Sequence, residues 1–118
     1  MPTRRYLPPP HPGETIWEDY LLPLKMSVNA LAKELGVTAA RLNEIVRGKR
    51  GITADTALRL GRYFNTTPGF WLGLQLEYDL RTAQHKAGAA IEKRVKPRKL
   101  DSAPLSFDRR MGRPPLST

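Results

Sequence analysis

Apolar side chains recur at helical spacing in five segments of this 118-residue chain, with polar or helix-breaking residues between them. The pattern predicts helices over 13–22, 28–35, 39–47, 54–64 and from 68 to about 84. No segment alternates between apolar and polar residues over the length of a strand, so the sequence predicts an all-α fold without a sheet.

The ends of the predicted helices carry residues that suit helix termini. Ser27, Thr38 and Thr53 each precede an apolar-periodic segment, where a hydroxyl can accept a hydrogen bond from a free backbone N–H group. Gly36 and Gly48 follow the second and third segments. Glycine adopts the left-handed conformation that ends many helices more easily than other residues do.

Proline marks the boundaries of the predicted domain. Clustered prolines make 1–12 an extended leader, and Pro23 is expected to end the first helix. The helical domain is predicted over 13–85, followed by a helical extension over 86–100. The remaining residues, 101–118, contain three prolines and few large apolar side chains, so a disordered tail is predicted there.

The second and third helices are separated by a three-residue turn that starts with glycine. Two short helices joined in this way are the signature of a helix-turn-helix. An ordinary helix pair would also carry caps and apolar stripes, but it would not require a small residue, a glycine and a valine at fixed offsets. The residues that match the packing of the motif are Leu31, Ala32, Leu35, Gly36, Val37, Leu42 and Ile45.

A helix-turn-helix inserts its second helix into the major groove of DNA with the N-terminal end leading. We assign Arg41 to a guanine, because arginine can form two parallel hydrogen bonds with O6 and N7 of that base. Ala39 and Ala40 can contact a thymine methyl group. Glu44 either accepts a hydrogen bond from a cytosine amino group or pairs within the protein with Arg41 or Arg47.

Other residues around this helix are expected to contact phosphate, which gives affinity without sequence information. Arg47, Lys49 and Arg50 would do so through their charge, and Ser27 and Thr38 beside their helix N-termini. The full set of predicted DNA contacts is Ser27, Asn29, Thr38, Ala39, Ala40, Arg41, Asn43, Glu44, Arg47, Lys49 and Arg50.

The formal net charge is +9, and residues 81–118 hold ten of the 20 Lys and Arg but only three of the 11 Asp and Glu. This excess favours binding to a polyanion. It is equally consistent with a solvated tail. The domain itself is therefore less basic than the whole chain, and DNA recognition must depend on where its charges lie.

Several function classes are excluded by composition. The chain has no cysteine, and its two histidines, His11 and His85, are far apart, so neither a disulfide nor a metal site is expected. No catalytic set or glycine-rich phosphate loop is present, so we predict a protein that is not an enzyme and binds no cofactor. No apolar run is long enough to cross a membrane, and a cytoplasmic location is expected.

Five short segments follow one another at fixed spacing over about residues 11–96: HPGE at 11–14, NALAKELGV at 29–37, NEIVRGKR at 43–50, ITADTALRL at 52–60, and FWLGLQ with YDL at 70–80. In this order they resemble the HigA-type antitoxins, a branch of the Cro/lambda-repressor-like helix-turn-helix class. The resemblance implies a five-helix lambda-repressor-like DNA-binding domain, here followed by the basic C-terminal tail.

The resemblance also implies two activities: neutralising a small toxin that cleaves messenger RNA, and repressing the protein's own operon. In this family toxin contacts involve the N-terminal region, which implies a toxin interface at Trp17 and Tyr20. Two other functions remain open from the residues alone. The chain could be a helix-turn-helix transcriptional regulator without a toxin, or a helical adaptor that binds only proteins.

A homodimer is expected on physical grounds, because one helix in one groove binds weakly and twofold operators match twofold proteins. The fifth helix is apolar around much of its circumference, and aromatic residues are favoured at the centres of interfaces. The predicted dimer residues are Phe70, Trp71, Leu74 and Tyr78.

Overall fold

The structure, a computed structural model, describes residues 9–99. The fold is all-α, as predicted, and no strand occurs within that range. The first helix, α1, runs through three contiguous segments, Pro12–Thr15, Ile16–Leu21 and Leu22–Leu24. The others are α2 (Val28–Leu35), α3 (Ala39–Val46), α4 (Ala54–Phe64) and α5 (Pro68–Arg94). The tail predicted over 101–118, and the first eight residues of the predicted leader, lie outside the described residues.

Helix α1 begins one residue earlier than predicted because a histidine caps it. The His11 Nδ1 atom accepts a hydrogen bond from the Gly13 backbone N–H at 2.8 Å. Proline at the first helical position, here Pro12, has no N–H group to satisfy and is well tolerated there.

The prediction that Pro23 ends α1 at Leu22 is wrong. Ile16–Leu21 form a π-helical turn, and the chain stays helical to Leu24. A proline ring ordinarily clashes with the carbonyl four residues earlier. The wider π turn moves that carbonyl away, because its hydrogen bonds span five residues. Ile16 and Leu21, five residues apart, are both fully buried as a result.

The caps predicted at Ser27, Thr38 and Thr53 are present, and Thr67 caps α5 in the same way. Each hydroxyl accepts a hydrogen bond from the backbone N–H three residues later, at 3.0–3.3 Å, and the pairs are Ser27 with Ala30, Thr38 with Arg41, Thr53 with Thr56, and Thr67 with Phe70. Gly36 ends α2 at φ 75° and Asn65 ends α4 at φ 59°, both in the left-handed region. Helix α5 continues to Arg94, and residues 95–99 have no regular secondary structure.

One core, shared by all five helices, consists of Ile16, Leu21, Leu31, Ala32, Leu35, Leu42, Ile45, Ile52, Ala57, Leu60 and Trp71. Trp71 is the largest of the fully buried side chains. Its indole Nε1–H donates to Thr66 Oγ1 at 2.7 Å, so the polar atom of this side chain is satisfied. The rings of Tyr20 and Phe64 pack around it at centroid distances of 5.4 and 6.4 Å.

The N-terminus of α1 lies directly against the C-terminal end of α3. A Cβ atom added at Gly13 would collide with the Ile45 carbonyl oxygen and would lie 2.9 Å from Val46 Cα. Both obstacles are backbone atoms, so a side chain at Gly13 could be accommodated only by separating the two helices. Glycine at this position therefore fixes where α3 ends relative to α1.

Candidate nucleic-acid interface

Helix α3 has one buried face and one exposed face. Leu42 and Ile45 lie in the core, and the turn before the helix is closed by a hydrogen bond from Val37 N–H to the Ala32 carbonyl at 3.0 Å. Six of the seven motif residues are thus in the core or packed against it, and the seventh, Gly36, is exposed and ends α2. The opposite face exposes Ala40, Glu44 and Arg47, which follow one another at helical spacing.

Arg41 does not extend freely from α3. Its Nη2 group donates to Asp55 Oδ1 at 3.1 Å and to Thr56 Oγ1 at 2.6 Å, and its side chain is only 28% exposed. A guanidinium can form paired hydrogen bonds through two edges, and the Nη2 group belongs to both. With both Nη2 hydrogens donated inside the protein, the two parallel bonds to guanine that we predict for Arg41 are not available in this conformation.

Asp55 accepts a second hydrogen bond on the same oxygen. Arg59 Nε lies 2.6 Å from Asp55 Oδ1, while Arg59 Nη1 donates to the carbonyls of Leu35 at 2.9 Å and Gly36 at 3.3 Å. Arg59 thereby satisfies carbonyl groups that the end of α2 leaves free. The hydrogen bonds from Arg59 and Arg41 hold the pKa of Asp55 below its usual value. We refer to Arg41, Asp55, Thr56 and Arg59 as the Asp55 network.

Only part of this network is predictable from the sequence. Asp55 and Arg59 both lie in the segment at 52–60 that carries the family resemblance. Their i, i+4 spacing on one helix is a recognisable signal for an ion pair. The contact from Arg41 crosses 14 residues and has no such local signal.

Glu44 pairs with Arg50 rather than with either partner that the sequence suggests. Arg50 Nε lies 2.8 Å from Glu44 Oε1, and both side chains are about half exposed. This corrects the expectation that Glu44 would pair with Arg41 or Arg47. The pair partly neutralises Arg50, so Arg50 offers less charge to a phosphate than the neighbouring basic residues do.

Arg47 and Lys49 are the uncompensated cations of this surface. Both are exposed, and neither forms an ion pair within residues 9–99. Asn43 donates through Nδ2 to the Ala39 carbonyl at 3.1 Å, which leaves its Oδ1 atom without a hydrogen bond in that range. Asn29 is exposed near the capped N-terminus of α2.

His11 belongs to the scaffold behind this surface. It is buried, its ring meets Tyr78 edge-on with the centroids 4.9 Å apart, and burial lowers its pKa. The hydrogen bond that Nδ1 accepts from Gly13 requires the neutral ring. In the part of the chain that the structure describes, no three His, Cys, Asp or Glu side chains are grouped to hold a metal ion. No helix in that part meets the length and hydropathy needed to cross a membrane.

The residues predicted to contact a toxin or a second copy differ in how accessible they are. Trp17 is 38% exposed, whereas Tyr20 is half-buried with its ring against Phe64 at a centroid distance of 4.4 Å. Phe70 is 42% exposed. Trp71 is completely buried, which corrects its assignment to a dimer surface, because a side chain in the core presents no area to a partner.

Leu74 and Tyr78 are half-buried, Leu74 against the core and Tyr78 against His11. Apart from Phe70, the exposed apolar residues of α5 lie elsewhere on the helix and include Leu72, Leu76 and Leu80. Any second copy that packs on α5 would therefore meet these leucines more directly than three of the four residues that the sequence suggests.

Comparison with known proteins places this geometry in a family context. A family model described as helix-turn-helix matches residues 18–71. Virulence-associated protein I of Dichelobacter nodosus is 55% identical over 78 residues, which is 66% of this chain and 72% of that protein. The structure of the Pseudomonas aeruginosa antitoxin HigA with the higBA promoter is 48% identical, with a TM-score of 0.73, over 75% of this chain and 97% of that one. An addiction module antidote protein of a HigA family from Coxiella burnetii is 50% identical, with a TM-score of 0.74, over 78% of this chain and all of that one.

Proposed function

Because the chain belongs to the HigA-type helix-turn-helix antitoxin family, we propose that it binds operator DNA through α3, represses its own operon and neutralises a small toxin that cleaves messenger RNA. The observation that carries the DNA-binding part is the exposed face of α3, which is preceded by a capped N-terminus and followed by uncompensated cations. A similar chain, the Pseudomonas aeruginosa antitoxin HigA, has been solved with promoter DNA.

In this proposal the N-terminal half of α3 enters the major groove. Ala40 is then placed to meet a thymine methyl group, and Asn43 or Glu44 to meet base edges through hydrogen bonds. Arg47 and Lys49 contact phosphate. Because the exposed face has few polar side chains, it recognises few bases directly, and the shape of the DNA carries more of the specificity than base contacts do.

A homodimer would place two copies of α3 on successive half-sites of a twofold operator. The surface we propose for it is the exposed apolar part of α5. Leu76 and Leu80 lie one helical turn apart and are more than half exposed, and Phe70 lies nearer the start of the helix. Burial of these side chains against a second copy would remove apolar area that the single chain leaves in water.

The salt dependence of binding tests the proposed phosphate contacts. Replacing Lys49 with alanine is expected to reduce the slope of log K against log salt concentration by about 1, because one fewer counterion is released from DNA. The measurement is a series of titrations of the DNA upstream of the protein's own reading frame, at several salt concentrations.

Arg62→Ala is a matched control for Lys49→Ala, because Arg62 is exposed in the last turn of α4 beside Tyr63 and the same charge is removed. Its slope should stay close to that of the unsubstituted protein. Equal slopes for Lys49→Ala and the unsubstituted protein would remove Lys49 from the interface.

The antitoxin activity is tested by co-expression with the adjacent gene. We expect relief of growth arrest and co-purification of the two proteins, and Trp17→Ala should abolish or weaken both without lowering thermal stability much, because Trp17 is partly exposed. Deleting α1 would be a poor test, since it removes the buried Ile16 and Leu21.

Leu58→Ala is the control for Trp17→Ala, because Leu58 is a 60% exposed apolar residue on α4. If Trp17→Ala and Leu58→Ala neutralise the toxin equally well, the toxin does not dock at Trp17. If the adjacent gene product neither arrests growth nor co-purifies, the protein is a transcriptional regulator without that partner.

A further inference from the structure

The Asp55 network links the three helices that surround the turn of the motif. Asp55 lies in the first turn of α4, receives Arg41 from α3, and receives Arg59, which also binds the carbonyls at the end of α2. The start of α3 and the end of α2 are thus connected through one carboxylate oxygen. The network adds a polar link to the apolar packing of α2 against α3, and its carboxylate lies at the surface, where Asp55 is 56% exposed.

The position of this carboxylate is unexpected for a DNA-binding surface. A negative charge beside the N-terminal half of α3 would repel the phosphates of an incoming duplex. On electrostatic grounds alone, removing the charge should tighten binding to any DNA. Because the Asp55 carboxylate would weaken DNA binding by repulsion, its hydrogen bonds to Arg41 and Arg59 indicate a different role for it.

The geometry indicates that role. The Arg41 Nη2 group is committed to Asp55 and Thr56, so Arg41 is held against α4 rather than directed outward. We propose that Asp55 is a positioning residue for DNA recognition: through Arg41 and Arg59 it fixes the angle at which α3 meets the operator, and Arg41 contributes to specificity through this contact and not by paired hydrogen bonds to guanine. The proposal rests on the DNA-binding function proposed above.

The direction in which Asp55→Asn changes the affinity for the upstream DNA distinguishes a positioning role of Asp55 from guanine recognition by Arg41. If Asp55 positions α3, the variant binds the upstream DNA roughly tenfold more weakly, the scale of coupling within one hydrogen-bonded network. It should do so while its affinity for shuffled DNA stays equal or rises with the added positive charge. If Arg41 instead reads guanine, releasing Nη2 should tighten binding to the upstream DNA.

Glu77→Gln is the matched control for the charge change. Glu77 is 57% exposed, pairs with Arg81 at i, i+4 on α5, and loses the same unit of charge when substituted. It should bind upstream and shuffled DNA at least as well as the unsubstituted protein. Thr56→Val is a second test that leaves the charge unchanged and removes the 2.6 Å acceptor from Arg41, and it too should weaken binding to the upstream DNA.

Amide hydrogen exchange in the free full-length protein tests the network without DNA. Asp55→Asn and Thr56→Val should speed exchange in α3 relative to α5, whereas Glu77→Gln should not. If the unsubstituted protein does not discriminate upstream from shuffled DNA, the proposed function fails and exchange alone decides whether the network holds α3. The proposal is overturned if amide exchange in α3 is unchanged in both Asp55→Asn and Thr56→Val. It is also overturned if these variants bind the upstream DNA as tightly as Glu77→Gln does, or more tightly.

Discussion

Alanine in place of Trp71 is expected to lower the free energy of unfolding by about 3–5 kcal/mol, the usual cost of deleting a large buried aromatic side chain. Trp71 is fully buried, and the rings of Tyr20, Phe64 and Phe70 surround it. A loss of this size is a large fraction of the stability of a small domain. Urea unfolding followed by circular dichroism measures it.

Phe70→Ala is the control, because Phe70 neighbours Trp71 but is 42% exposed. Its centroid lies 4.9 Å from that of Trp71, so the variant loses an aromatic contact but leaves no closed cavity. We expect a cost of about 1–2 kcal/mol. If the two variants were destabilised equally, the first turns of α5 would not be anchored in the core in the way the structure shows.

Alanine at Gly13 is expected to destabilise the protein by about 1–3 kcal/mol, even though alanine favours helices. The added methyl group would collide with the Ile45 carbonyl oxygen at the end of α3. Because the obstacle is backbone, α1 and α3 must move apart. The variant should also lose affinity for the upstream DNA, since α3 is the proposed recognition helix.

Gly73→Ala is the matched substitution for Gly13→Ala. Gly73 lies within α5, and a Cβ atom there would meet nothing within 4 Å. It should stabilise the protein by about 0.4–1 kcal/mol, through the lower entropy of the unfolded chain. We therefore expect Gly13→Ala to lower the free energy of unfolding and Gly73→Ala to raise it. Stabilisation by Gly13→Ala would contradict the close approach of α1 to α3.

The parts of the fold that depend on local contacts are the parts that the sequence predicts well. A hydroxyl at Ser27, Thr38 or Thr53 needs only the N–H three residues later, and that partner is always within reach. The end of α1 is different. Pro23 favours a stop, but burying both Ile16 and Leu21 requires a π turn, and that requirement comes from the tertiary packing.

In the candidate site, too, features that depend on local spacing are predictable and features that depend on tertiary contacts are not. The exposed face of α3 follows from helical spacing, so Ala40, Glu44 and Arg47 are predictable as a set. The partner of Arg41 lies 14 residues away, and periodicity gives no sign of it. The role of Trp71 was equally inaccessible, because a helix that is apolar on most sides does not reveal which side faces the core.

The claim that α3 binds operator DNA is tested most directly by titrating the full chain with the DNA upstream of its own reading frame and with shuffled DNA of equal length and composition. The salt concentration should be about 0.15 M, so that exposed charges are screened as in cells. We predict roughly 1,000-fold or greater preference for the upstream DNA. Equal affinity for the two would contradict the account and favour a helical adaptor that binds only proteins.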